Sequence, residues 1–194
     1  MINWGDLMNK TKRAIFQSAI KIFSTNGYDG ATMDEISADA GVAKGTVYYY
    51  FKSKDEVFTY IITEGISLLR TQIEIIITGQ GDNTYKLREL SKDQLRLVHE
   101  NRDLFKVLMS QAWGGKIRHS ELRELLKGYM GDIENFLIKV IEDGAIKKCD
   151  SSFLTYMYFG TLGSVAVYNI IKNDNMKLDE ITDNFMEQLL NGIK

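Results

Sequence analysis

The chain has 194 residues, of which 44% are apolar and 26% charged, with one cysteine, no proline and a net charge of −2. Such a composition builds one domain, or one domain with a small appended module, and excludes a disordered polyampholyte, an internally disulfide-bonded fold and a generic polycation for nucleic acid. Residues 1–10 lack the apolar core of a signal peptide, and residues 153–171 are too interrupted by Thr155, Gly160, Thr161, Gly163, Ser164 and Asn169 to span a bilayer, so a cytoplasmic protein without membrane contact is expected.

Charge is unevenly distributed. Residues 1–54 carry seven basic groups against five acidic ones, whereas residues 55–194 have an acidic excess of four. The N-terminal quarter is therefore the cationic end.

Ile15, Ala19, Ile22 and Phe23 stand at i, i+4, i+7 and i+8, which predicts an amphipathic helix over about residues 9–25 with Gly27 as its stop. Thr32-Met33-Asp34-Glu35 is a capping box, so a short helix starts at Met33, buries Ile36 and Ala40 and halts at Gly41. Another helix begins near Lys44 and ends about Phe51. Two short helices around a tight glycine turn form a helix-turn-helix. Ser53-Lys54-Asp55-Glu56 is a second capping box, opening a long helix over residues 54–78 with Val57, Phe58, Ile61, Leu68 and Leu69 inward. Further helices are predicted at 85–100, 103–113, 120–143, 151–172 and 179–191, and no alternating strand pattern is present.

Ala19, Phe23, Gly27-Tyr28, Thr32, Ile36, Ala40-Gly41-Val42, Gly45-Thr46-Val47-Tyr48, Tyr50-Phe51 and Ser53-Lys54, at their spacing here, closely resemble the N-terminal DNA-binding domain of TetR-family transcriptional regulators. The resemblance covers residues 10–57. It implies an all-α homodimer of about nine helices per chain. A three-helix DNA-binding domain over residues 1–54 would precede a helical bundle over residues 55–194 for effector binding and dimerisation. Where the family usually has serine at the cap of the recognition helix, this chain has Ala43, forfeiting about 1 kcal/mol of capping.

At about 100° per residue, Val47 and Phe51 share the inward face of the second motif helix, while Gly45, Thr46 and Tyr49 lie opposite with Tyr48 and Tyr50 on the flanks. In a major groove Gly45 would admit the backbone, Thr46, Tyr48 and Tyr50 would reach phosphates, and Tyr49 would touch base edges or a thymine methyl. Lys44 falls nearer the buried side, yet its stem is long enough to reach a base or phosphate. Thr32 and Lys54, at two helix starts beside this helix, are further phosphate candidates.

In the C-terminal part, Phe105, Met109 and Trp113 recur at i, i+4 and i+8, and Tyr129, Met130, Ile133 and Phe136 cluster on the next helix. Stripes of this kind are core or the lining of an adaptable apolar pocket. The resemblance implies an effector site here, which makes Phe105, Met109, Trp113, Tyr129, Met130 and Phe136 the candidates for a small apolar or amphipathic ligand. Gly160, Gly163, Ser164 and Val167 form a small-residue strip that permits close helix approach. With Phe185, Met186, Leu189 and Leu190 of the last helix it is the expected dimer interface, because the family dimerises through its last two helices.

No metalloprotease, phosphate-loop, nucleophile-elbow or paired-cysteine motif occurs, and His99, His119 and Cys149 are isolated. No catalytic residue, metal or cofactor is expected. The function expected is a sequence-specific transcriptional regulator, a ligand-responsive repressor acting as a homodimer on a palindromic operator. The alternatives are an effector-independent architectural or spatial DNA-binding regulator, and a helical enzyme or carrier.

Overall fold

The computed structural model describes residues 9–113, 120–172 and 177–192, except the side chains at 109, 111–113, 120–122 and 169–172. The described residues form nine helices and no strand: α1 (Lys10–Gly30), α2 (Met33–Asp39), α3 (Lys44–Tyr50), α4 (Lys54–Thr78), α5 (Asn83–Glu100), α6 (Arg102–Trp113), α7 (Ser120–Glu142), α8 (Ser151–Lys172) and α9 (Leu178–Asn191). None is long and apolar enough to cross a membrane.

Two compact units are present, one of residues 1–66 with 101–123 and another of residues 67–100 with 124–194. Their boundaries lie within α4, between α5 and α6, and within α7. They are packing groups, and they assign neither DNA binding nor effector binding to a stretch of chain.

In the first unit α2 packs on both α1 and α3, and α6 packs along α1. Asn9 caps α1 by accepting from the Lys12 amide at 2.9 Å. At the expected stop, Gly27 adopts φ 68°, a conformation that disfavours side chains, and one further turn follows this kink. Thr32 and Glu35 complete the capping box of α2 from both sides. Ile15, Phe16, Ala19, Phe23, Ile36, Val47, Phe51, Val57, Phe58, Ile61 and Ile62 are almost wholly buried. Ala40 is only half-buried, because it already belongs to the turn.

An aromatic cluster fixes the start of α4. Phe58 meets Phe23 and Tyr28 edge-on at 5.1 and 4.9 Å, while Tyr60 contacts Phe51 and Phe16 at 5.3 and 5.9 Å. The Lys12 ammonium lies 4.0 Å from the Tyr60 ring centroid. Fully burying one such aromatic is worth about 1.5–3 kcal/mol, so the cluster is a main source of rigidity beneath α3.

In the second unit α5 lies against α8 and α9. Leu87, Leu90, Ile133, Phe136, Leu137, Val140, Leu154, Tyr158, Ile181 and Phe185 are buried. On α4, Leu68 and Leu69 are half-buried and Ile73 is buried, a shift of the inward face from the expected one. Arg70 donates from Nε and Nη2 to Asp132 on α7 at 2.6 and 3.3 Å. Its guanidinium lies over Gly128, where a Cβ would come within 3.2 Å of Nη1.

A chain of buried hydrogen bonds crosses this unit. Tyr158 Oη donates to Gln94 Oε1 at 2.8 Å, Gln94 Nε2 donates to Tyr129 Oη at 2.8 Å, and Ser91 Oγ lies 3.1 Å from Tyr158 Oη. Burial raises both phenols well above the ordinary tyrosine range. They remain neutral and serve as hydrogen-bonding groups.

Candidate nucleic-acid interface

The face of α3 is set by what lies beneath it. Val47 is fully buried and Phe51 nearly so, which turns Tyr49 outward to 76% exposure. Lys44, Gly45 and Tyr48 are exposed, and Thr46 and Tyr50 are half-buried. The phasing about Val47 and Phe51 is therefore as periodicity predicts. A Cβ built at Gly45 meets nothing within 4 Å, so nothing in the protomer's own packing demands glycine there. Ala43 occupies the N-cap of α3 and supplies no side-chain hydrogen bond.

The basic candidates are engaged within the protein. Lys44 Nζ lies 2.7 Å from Asp34 Oδ1 across the turn, and this carboxylate holds the ammonium above the usual lysine range. Lys44 is thereby tethered at the rim of the motif, although it stays exposed. Lys54 Nζ donates to the carbonyls of Tyr28, Ala31 and Asp29 at 2.7, 2.8 and 3.3 Å and lies 4.6 Å from the Tyr28 ring centroid. It supplies the cation that the last turn of α1 itself lacks. Helix phasing could not show this, since the carbonyls lie 23 to 26 residues back in the chain.

Thr32 is exposed but its hydroxyl is also occupied, accepting from the Glu35 amide and donating to Glu35 Oε2 at 2.8 Å. Ser53 Oγ accepts from the Glu56 amide at 3.2 Å, while the Glu56 carboxylate takes the Lys52 amide instead of that of Ser53. One more residue joins the face. Asn9 Nδ2 donates to the Tyr50 hydroxyl at 2.9 Å. A capping residue at the start of a helix is legible from sequence, whereas its reach to α3 is not.

The C-terminal candidates divide. Tyr129 and Phe136 are buried, and Phe105 and Met130 are half-buried. The side chains of Met109 and Trp113 lie outside the described residues. Sequence reasoning missed Gln94, Tyr158 and Ser91, because a polar residue on a helix gives no sign that it will be buried against another polar group.

The dimer candidates need a correction. Phe185 is buried against Tyr158 at 5.8 Å between ring centroids, and Met186 Sδ accepts from Ser91 Oγ, so both belong to the protomer's own core. The apolar periodicity of α9 marks the face that covers α5 and α8, not one facing outward. Gly163 is buried as well, and Leu189 and Leu190 are half-buried. Ser164 and Val167 are exposed, and a Cβ at Gly160 meets nothing within 4 Å. Along the same helix Phe153, Tyr156, Met157 and Tyr168 are exposed, with Phe153 at 71%.

Residues 15–61 match the family model described as bacterial regulatory proteins of the tetR family, and residues 62–192 match that of the C-terminal region of YsiA-like proteins. A solved structure of a Clostridium perfringens putative fatty acid metabolism regulator is 39% identical, covers 93% of this chain and 98% of its own, and superposes with a TM-score of 0.85. That of the Bacillus subtilis transcriptional regulator FadR in complex with stearoyl-CoA is 25% identical, covers 94% and 100% of the two chains, and has a TM-score of 0.75. Among sequences, the fatty acid metabolism regulator protein of Bacillus subtilis (strain 168) is 25% identical over 181 residues, 92% of this chain and 93% of that protein.

Proposed function

The chain belongs to the tetR family of bacterial regulatory proteins, and from that premise we propose that it is a homodimeric repressor of fatty acid metabolism genes, released from its operator by a long-chain acyl thioester. It is a DNA-binding transcriptional regulator and not an enzyme. The observation that carries DNA recognition is the outward face of α3, where Tyr49 is held exposed by a rigid apolar base and Gly45 leaves the backbone open. A ring so exposed, in edge contact with Tyr50 alone among the described aromatic rings, buries little within the protomer and suits a major groove. Residues 1–54 would carry DNA binding, with Thr46, Tyr48, Tyr49 and Tyr50 as principal contacts and Thr32, Lys44 and Lys54 at the margin. Residues 55–194 would bind effector and dimerise. Its place of action is the cytoplasm, with the chromosome.

The dimer is supported by the exposed Phe153, Tyr156, Ser164 and Val167 of α8, with the half-buried Gly160 among them, which a second copy would cover across a two-fold axis. The effector class is supported by the fatty acid regulators named above and by the stearoyl-CoA complex of one of them. Met130 and Phe136 of the second unit are suited to an acyl chain, and Phe105, Met109 and Trp113 are suited to one by residue type. Tyr129 accepts from Gln94, so its own proton is left for a carbonyl oxygen such as that of a thioester.

Genome-wide mapping of bound sites, followed by titration of a labelled duplex from such a site, tests the proposal. Stearoyl-CoA should release the duplex while coenzyme A and stearate separately do not. Linkage requires that the duplex weaken stearoyl-CoA binding by the same factor. Retention of the duplex at saturating stearoyl-CoA would refute the effector assignment, and bound sites remote from genes of fatty acid metabolism would refute the regulatory one.

A further inference from the structure

Asn9 lies outside the recognition helix, yet its amide is fully specified. The Lys12 backbone N–H, 2.9 Å away, can only donate, so the oxygen end of the Asn9 side chain must face it. The remaining end is an NH2 group, which can only donate, and it lies 2.9 Å from the Tyr50 hydroxyl. The phenol oxygen is therefore the acceptor. This is the only hydrogen bond at that hydroxyl among the described residues, none of which accepts the phenol proton, and the proton is turned away from Asn9. The Tyr50 ring is held edge-on to Tyr49, with centroids 5.2 Å apart and planes at 85°, at the edge of the exposed face.

Resting on α3 as the DNA-reading helix, we propose that Asn9 is a positioning residue for DNA recognition, orienting the Tyr50 hydroxyl so that its proton is presented to a backbone phosphate oxygen. A phenol that accepts one hydrogen bond is a better donor of the next, since bonds in a chain polarise one another. A phosphate oxygen is the fitting acceptor, because it only accepts and lies at the groove edge, where a flank residue of the helix meets the duplex. The same contact carries no sequence information. Asn9 thus sets affinity and leaves sequence preference to Tyr49 and its neighbours.

A duplex selected by the full-length wild-type protein from a random-sequence pool is the probe. Asn9→Ser retains a capping oxygen but is too short to reach Tyr50. It should weaken binding to the selected duplex roughly five-fold, the scale of one neutral hydrogen bond, and weaken an unrelated duplex by the same factor. Tyr50→Phe should do likewise, and the double variant should bind no worse than Tyr50→Phe alone. Asn9→Asp keeps the cap but replaces the donor with an acceptor that takes the phenol proton for itself. Its loss should be larger in the wild-type background than in the Tyr50→Phe background, where only the repulsion between its charge and DNA remains.

Additive losses from Asn9→Ser and Tyr50→Phe would overturn the inference, since a mere fraying of α1 does not depend on the phenol. Wild-type affinity in Asn9→Ser would overturn it equally. A wild-type protein that selects no duplex would overturn the DNA-binding function, and this inference with it.

Discussion

The Lys54 ammonium donates to the Ala31 carbonyl at 2.8 Å, tying the first residue of α4 to the residue that ends α1. The Tyr28 carbonyl accepts from the same nitrogen at 2.7 Å, and the Tyr28 hydroxyl donates to Asp55. The start of α4 and the end of α1 therefore form one knot beneath the helix-turn-helix. Lys54→Ala should destabilise the protein by about 2 kcal/mol, the scale of charge-assisted hydrogen bonds lost from carbonyls that are then poorly satisfied. Urea unfolding checks this. Were stability unchanged while affinity for every duplex fell alike, Lys54 would be a phosphate contact and not a cap.

Gly45 and Tyr49 separate DNA binding from folding. A Cβ at Gly45 has open space in the protomer, and alanine favours helix by up to about 1 kcal/mol over glycine. Gly45→Ala should hold or raise the melting temperature while weakening the operator complex, because the new methyl stands where DNA must approach. Tyr49→Ala should leave stability within about 0.5 kcal/mol and weaken the specific complex by roughly 1–3 kcal/mol. Fluorescence anisotropy beside thermal melts measures both. An operator complex indifferent to either substitution would mean that α3 does not enter the groove through this face.

Gly160 tests the dimer. With nothing within 4 Å of a Cβ in the protomer, Gly160→Leu should leave the single chain folded. If α8 faces a second copy, the added side chain should separate the two helices, convert the protein to monomer and abolish tight operator binding. Sedimentation velocity decides it. A normal dimer carrying the substitution would place the two-fold elsewhere.

Asp93 gives the pH dependence. It is buried on α5, its Oδ2 has no hydrogen-bond partner, and burial raises its carboxyl above the ordinary 3.8, opposed by the Arg96 ion pair and assisted by Glu100 and Glu89. Because the folded value lies above the unfolded one, folding is unpenalised while both states are protonated. Stability is then lost as pH rises from 3.8 through the raised folded value, beyond which the penalty is constant. Asp93→Asn should therefore stabilise the protein at neutral pH by about 1 kcal/mol, a gain that vanishes below the unfolded carboxyl range. Denaturant unfolding at pH 7 and pH 3.5 compares the two, and a gain independent of pH would refute the charge origin.

Much of the interface was legible from the chain. Val47 and Phe51 share a face because helical periodicity is local, and Thr32 with Glu35 closes a box within four residues, so composition at fixed spacing determined the helix starts, the turn at Gly41 and the outward set Gly45, Thr46 and Tyr49. The small-residue strip of α8 illustrates the limit. Its spacing was visible, but not that Gly163 is buried while Gly160 is half-buried with open space at its Cβ position, since periodicity assigns residues to a face without saying what covers that face.

Partners far apart in sequence were decided only by tertiary packing. Asn9 reaches Tyr50 over 41 residues, Gln94 reaches Tyr129 over 35 and Tyr158 over 64, and Lys54 turns back to carbonyls that α1 presents. Phe185 and Met186 turn into the core of their own protomer because α9 lies on α5 and α8. A helix written with one apolar stripe is stabilised by any apolar surface that fits it. Sequence therefore determined that α9 must be covered and that α3 must show its tyrosines, and the packing of whole helices decided which surface covers the first and which amide steadies the second.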